Sequence, residues 1–517
     1  MKKLNKFTYI VTVIFLLGSC NLDEDLKDAY NERPESSGSG GGGGGESSGL
    51  STGYATLFGA GTANHGGYFS IQEVSSDEAA IPAKGGDWFD GGIWVDMHRH
   101  EYKSTSDPLN TTWTQQYDAI AEINDLLGNP NITSSDSAVT ELHVLRAYYY
   151  FRLLDTFGRV KIVTAPGQDV AQSTRTQVFE FVESELTDAI ASGFLRTNKS
   201  LGAGRVNLYG AYGLRAILYL NAEVYTGTPH YTEAAADAAE VINSGLYSLP
   251  DDYSSVFSPT NSGSPEHVWV VPFDQTTGTG MNIAQMTLHY GSQATFKLAE
   301  QPWNGYTSVE EFYNSYSEDD ERKENNFLVG PQFKNPDGTG GPVIDFATES
   351  TDEDGFQLNY TPRINELFPN AERQGGARMF KFNFAQNQRN DMNNDYPIVR
   401  FGDMLLVRAE ALARAGGSWN PTSESLTLIN DIRSRAGVDE YATTAELTES
   451  EFLAERGREM FLEASRRRDL IRFGRWGDEW WEKPAHSDDD LNLFPIPLRQ
   501  IQASASTNNP LTQNPGY

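Results

Sequence analysis

The sequence predicts a mostly α-helical chain, built of helix pairs and interrupted by a long loop-rich region. Three observations carry this. Apolar residues recur at helical spacing on both sides of the chain's middle. Two of the expected helices are unusually rich in alanine, which lets helix axes approach closely. Between the helical parts, 250–396 is dense in Gly, Asn, Asp and aromatics and carries little periodicity.

Each helix has its own signal. Trp113, Tyr117, Ile120, Ile123 and Leu127 share one face, which predicts a helix over 113–127. The next runs from Asp136 to Phe157 and stops at Gly158, apolar on more than one face and so buried on more than one side. Thr176 to Ala191 is a third. Asn207 caps a helix expected to continue to Tyr225 and end at Gly227. Tyr231 to Ser244 and Gly402 to Ala415 are the alanine-rich pair, and Glu424 to Ala436 follows. Thr448-x-x-Glu451 reads as a capping box opening a helix to about Arg472. His267 to Phe273 is the one clear strand signal. The paired helices resemble tetratricopeptide-like units, without a strict 34-residue period.

The first fifty residues read as a processing and tethering segment. Lys2, Lys3 and Lys6 precede an apolar run from Phe7 to Leu17, too short to span a bilayer. Leu17-Gly18-Ser19-Cys20 looks like a bacterial lipobox. It implies a signal peptide over 1–19, cleavage before Cys20 and acylation of that residue, the only cysteine. Several acyl chains at roughly 0.8 kcal/mol per buried CH₂ make a stable anchor. Asn21 to Asp25 is acidic, and Ser36 to Gly49 is nearly all Gly and Ser, so 20–50 is expected to be anchor and flexible tether. The body would be 51–517, with a helical scaffold at about 110–249 and 397–480 and an N-terminal aromatic loop at about 66–102.

Composition excludes some functions. The formal charge is −31, from 71 acidic and 40 basic residues. Such a surface repels phosphate backbones, so nucleic acid is not an expected partner. There is no Walker loop, no Gly-x-Ser-x-Gly elbow, no His-Glu-x-x-His and no zinc spacing. A glycosidase needs two carboxylates roughly 5–10 Å apart, and with 71 acids their mere availability decides nothing. No cofactor is expected. A structural Ca²⁺ remains compatible with the acidic loops, although 351–355 lacks EF-hand spacing.

Nine Trp, 24 Tyr and 27 Phe point elsewhere. A sugar offers a C–H face that packs on an aromatic ring and hydroxyls that need paired donors and acceptors. Two loops combine these groups. Gly85 to Trp94 sets Trp88 and Trp94 in a glycine frame with Asp87, and His98 follows. Pro302 to Tyr306 sets Trp303, Asn304 and Tyr306 side by side. These seven residues are the candidate ligand contacts. Trp113, Trp476, Trp480 and Trp481 are expected in packing or interface roles.

Seven segments also resemble the SusD/RagB family of outer-membrane lipoproteins. They include LRAYYYFRLLDTFGRV (145–160), GRVNLYGAYGLRAILYLNAEVY (204–225), NNDYPIVRFGDMLLVRAEALARAGG (393–417), INDIRSRAGV (429–438), ERGREMFLEASRRRDLIRFGRW (455–476) and the closing LFPIPLRQI and NPLTQNPGY. The resemblance implies a SusD-like fold with a loop-rich ligand-binding region and no catalysis. It implies capture of oligosaccharide or polysaccharide at the cell exterior, on an outer membrane reached through Cys20. It also implies a TonB-dependent porter of the SusC type as partner. The acidic charge favours a neutral polymer such as a β-glucan. Peptide binding of the RagB kind and a surface glycoside hydrolase are the alternatives.

Overall fold

The structure is a computed structural model and describes residues 46–199, 204–346 and 355–517. The lipobox, Cys20 and most of the expected tether lie outside the described residues, as does 351–354 of the acidic run.

The chain opens with α1 (Glu46–Gly59). Its start takes up residues that close the Gly/Ser stretch. Leu50, Tyr54 and Leu57 form its buried stripe. Gly53 lies so close to the next layer that a Cβ there would come within 2.7 Å of Leu142 Cδ2. Glycine at this point therefore serves helix contact rather than flexibility. α2 (Tyr68–Val74) follows, every residue buried. The strand β1 (Ala79–Ala80) comes next.

The scaffold consists of stacked helix pairs. α3 (Asp107–Leu127) begins earlier than its apolar spacing predicts, with Pro in its first turn. α4 (Asp136–Thr156) is capped by Ser135, and Gly158 beyond its end has φ +67°. α5 (Arg175–Ala191) starts at a reciprocal Thr174–Gln177 capping box. The helix expected over 207–225 is broken. α6 (Leu208–Leu220) ends at Asn221, and a short helix, Ala222–Thr226, continues to Gly227. Asn221 Nδ2 donates back to the Ile217 carbonyl at 2.8 Å, and its Oδ1 accepts from Arg472, so the break serves a long-range contact.

α7 (Tyr231–Asn243) packs between α6 and α8 (Phe401–Arg414), and α9 (Ser423–Arg435) packs on α8. Buried Ala234, Ala235 and Ala238 face the layer that holds buried Ala409, Ala411 and Ala413. This is the tetratricopeptide-like stacking the sequence predicts.

The helix expected from Thr448 to Arg472 is two helices, α10 (Glu449–Met460) and α11 (Arg466–Arg472). Leu462 and Ala464 between them have φ +59° and +52°. The break turns Glu463 towards Arg400 and Lys381, at 2.7 Å from each. It also lets the Ala464 amide donate to Glu73 at 2.8 Å.

The strand β2 (His267–Pro272) pairs antiparallel with a strand at Asp395–Arg400, which sequence periodicity does not reveal. Pro397 sits within that strand, tolerated because the sheet has only two strands. The rest of 250–396 consists of short helices, two-residue strands and turns, among them β3 (Thr307–Ser308), which pairs with β1.

Buried ion pairs fasten this region to the helices. Arg400 reaches Glu266, Glu459 and Glu463, and Arg322 reaches Asp320, Glu455 and Glu459. No helix among the described residues is long and apolar enough to cross a membrane.

Candidate functional site

Two loops meet through main-chain fastening. Trp303, Asn304, Gly305 and Tyr306 donate their amides to the carbonyls of Gln285, Leu288, Met286 and Met286, at 2.7–2.9 Å. The Lys84–Asp87 turn is closed by two main-chain hydrogen bonds, and its flank pairs with 367–371. Buried Lys84 joins the loops, donating from Nζ to the carbonyls of Pro82 and Gly305 at 3.1 and 3.2 Å.

The indole of Trp88 crosses from one loop to the other. Its Nε1 donates to the Trp303 carbonyl at 2.6 Å. Its six-membered ring lies directly over the Cα of Gly305, leaving no space for a Cβ. Trp88 itself takes φ +60°, followed by Asp90, Gly91 and Gly92, also left-handed. The glycines of this loop thus shape a compact turn.

An imidazole stands at the centre. The ring of His65 lies 5.1 Å from Trp88, 5.0 Å from Trp94, 6.2 Å from Trp303 and 5.8 Å from Tyr306, centre to centre. Burial pushes His65 down to about 4, against the opposing pull of Asp90, so it is neutral at ordinary pH. Sequence reading gave no signal for His65, which stands alone in Gly61 to Ser70.

The nominated residues divide into two groups. Trp303 and Asp87 are half-buried and keep part of their surface accessible. Asp87 accepts from the hydroxyl of half-buried Tyr290. The others are supports. Trp88 is 9 % and Trp94 2 % exposed, so they pack against His65 rather than forming an open platform. Trp94 Nε1 donates to Asp90 Oδ2 at 2.8 Å. Asn304 is fully buried and accepts from Arg378 at 3.0 Å. Tyr306 is fully buried and hydrogen bonds His65 Nδ1 and Ser70 Oγ.

His98 belongs to a different cluster. It is fully buried at the end of a short helix, Ile93–His98, and one ring nitrogen bonds the Trp481 carbonyl at 2.7 Å. Its ring neighbours are Trp480 and Trp481. The sequence-adjacent aromatics therefore split between one site and the packing of the C-terminal loops.

Two further rings are exposed and have no signal in the sequence. Phe89 and Phe368 are 40 % and 41 % exposed and stack on each other, 5.4 Å apart and 30° from parallel. Phe89 follows Trp88 directly. The groups of these two loops and of His65 that keep accessible surface are thus Trp303, Tyr290, His65, Asp87 and Asp90, with the exposed Phe89–Phe368 pair next along the chain from Trp88. Among the described residues, no group of three or more His, Cys, Asp or Glu is placed to hold a metal ion.

Comparison with known proteins places this architecture. The model of the SusD family matches residues 265–517, and a second, described as starch-binding associating with outer membrane, matches 71–239. The chain belongs to the SusD/RagB family. It is 27 % identical over 427 residues to the starch-binding protein SusD of Bacteroides thetaiotaomicron, covering 73 % of this chain and 72 % of that one. The fold is similar to a laminarin-binding SusD-like protein, with a TM-score of 0.70, 22 % identity and coverage of 91 % and 99 %. It is also similar to surface glycan-binding protein A from Bacteroides thetaiotaomicron in complex with laminarihexaose. There the TM-score is 0.70 at 20 % identity, covering 90 % of this chain and 98 % of that one.

Proposed function

We propose that this chain is a non-catalytic glycan-binding lipoprotein of the outer-membrane surface, which captures a neutral glucan and passes it to a TonB-dependent porter of the SusC type. The observation that carries the reading is the aromatic site around His65. A half-buried indole, Trp303, has its main chain fixed by hydrogen bonds, one of them from Trp88, and its ring beside His65. A rigid ring beside polar groups suits a pyranose, whose C–H face loses water against it at about 25 cal/mol per Å².

A neutral ligand fits an acidic chain, since the formal charge of −31 disfavours polyanions. Relatives whose names record starch or laminarin binding support a glucan, and the β-linked class is the finer choice. Acylation at Cys20 would hold the body to the membrane, with the porter as recipient.

Affinity electrophoresis and calorimetry with laminarin, starch and casein-derived peptides test this. The expected result is retention by one of the glucans, weakened at least tenfold, about 1.4 kcal/mol, by Trp303→Ala. Binding of peptides alone removes the glycan reading, and slow release of reducing sugar by the native protein removes the non-catalytic one.

A further inference from the structure

The hydrogen bonds behind His65 fix which nitrogen carries its proton. Ser70 is fully buried, and its Oγ accepts the Gly66 amide at 2.8 Å. The partner for its own hydrogen is the Tyr306 hydroxyl, at 2.7 Å. With Ser70 donating, the Tyr306 hydrogen turns to His65 Nδ1, at 2.9 Å. The reverse order would leave the Ser70 hydrogen buried without an acceptor, a cost of about 1–3 kcal/mol. Nδ1 is therefore an acceptor, and the hydrogen of the neutral ring sits on Nε2.

Nε2 has no partner among the described residues and is not one of the buried unpartnered atoms. The residue is half-buried, as is Trp303 beside it. Of the other polar groups here, Asp87 is taken by the Tyr290 hydroxyl and Asp90 is the one with an open oxygen. It is exposed, and Trp94 holds Oδ2 while Oδ1 has no partner among the described residues.

We infer that His65 Nε2–H and Asp90 Oδ1 are a donor–acceptor pair that takes two neighbouring hydroxyls of a neutral sugar resting against Trp303. The inference rests on the glycan-binding reading above and names its polar half. Tyr306 and Ser70 are positioning residues, which hold the imidazole in the donor tautomer. A fixed donor beside a fixed acceptor selects for sugars carrying both hydroxyls, because a sugar lacking either leaves one group unpaired.

Calorimetry with laminarihexaose and maltohexaose tests the pair, using the tighter ligand as probe. His65→Phe keeps a ring and removes the donor. Asp90→Asn keeps an oxygen for Trp94 and replaces the free acceptor with a donor. Each should weaken binding about tenfold. Asp90→Asn should leave the unfolding temperature little changed, whereas His65→Phe should lower it because the buried Tyr306 hydroxyl loses its acceptor. ¹⁵N spectra should show His65 protonated at Nε2. Affinities within twofold of native for both variants, with Trp303→Ala still losing binding, overturn the pair and leave the site. A His65 proton on Nδ1 also overturns it. Retained affinity in Trp303→Ala, or native protein that binds neither probe, overturns the site reading and the pair with it.

Discussion

The indole nitrogen of Trp88 donates to the main-chain carbonyl of Trp303 at 2.6 Å, joining two loops 215 residues apart in the chain. That bond sets the main chain under the Trp303 ring, so Trp88, itself nearly buried, positions a residue that stays half-exposed. Removing the Trp88 side chain should cost about 3–5 kcal/mol of stability, as for other buried large-to-small changes. Trp303→Ala, at a half-buried site, should cost less stability and more affinity. Denaturant unfolding and calorimetry on the two variants should show that crossover.

Gly305 is the other half of this arrangement. A methyl group there would enter the six-membered ring of Trp88. Gly305→Ala should therefore destabilise by about 1–3 kcal/mol and weaken ligand binding, although it touches no ligand group itself. Tryptophan fluorescence together with thermal unfolding would register both effects.

A pH effect should arise from Glu73 and Glu78. Both are buried, and each has a carboxylate oxygen without a donor, Glu73 Oε2 and Glu78 Oε1. Burial pushes Glu73 up to about 7 from an ordinary 4.5, and Glu78 upward as well. The folded state thus keeps a proton that the unfolded chain releases above pH 4.5. Stability from this source falls as pH rises from about 4.5 to about 7. Glu73→Gln keeps the oxygen that accepts the Ala464 amide and removes the ionisation. It should be more stable than native at pH 8, with the gain shrinking towards pH 5, in urea titrations across that range. A gain independent of pH would contradict the assignment.

The Arg400 network predicts a large loss on breaking one partner. Arg400 is buried against Glu266, Glu459 and Glu463. Arg400→Ala leaves these carboxylates short of a partner and should cost about 3–5 kcal/mol. Soluble yield and the urea midpoint measure it.

At the N-terminus, Cys20→Ala should abolish labelling by a palmitate analogue and move the protein from the membrane fraction to the soluble one. Membrane retention in that variant would remove the lipid-anchor reading.

The fold was legible where apolar residues recur at helical spacing without Gly and Ser between them. Residues 136–156 announced themselves through local spacing, and the alanine pair through composition. The breaks at Asn221 and Leu462 did not, because their causes are contacts with Arg472, Arg400 and Lys381, far along the chain. α1 was hidden by its Ser and Gly content, although Leu50, Tyr54 and Leu57 carry helical spacing. At the site, composition pointed to two loops that the fold brings together and did not show which of their side chains are buried. Adjacency in sequence does not say which way Asn304, Tyr306 or His98 points. Neither His65 nor the Phe89–Phe368 stack has any local signature, since each gains its role from residues brought in by folding.

Glu459 receives guanidinium groups from three parts of the chain: Arg322 of the loop region, Arg400 at a strand end and Arg435 at the end of α9. Loop region and scaffold consequently share one electrostatic knot, so neither can melt while the other stays native. Transplanting the loop region onto another scaffold would require this acid and its three arginines to travel with it.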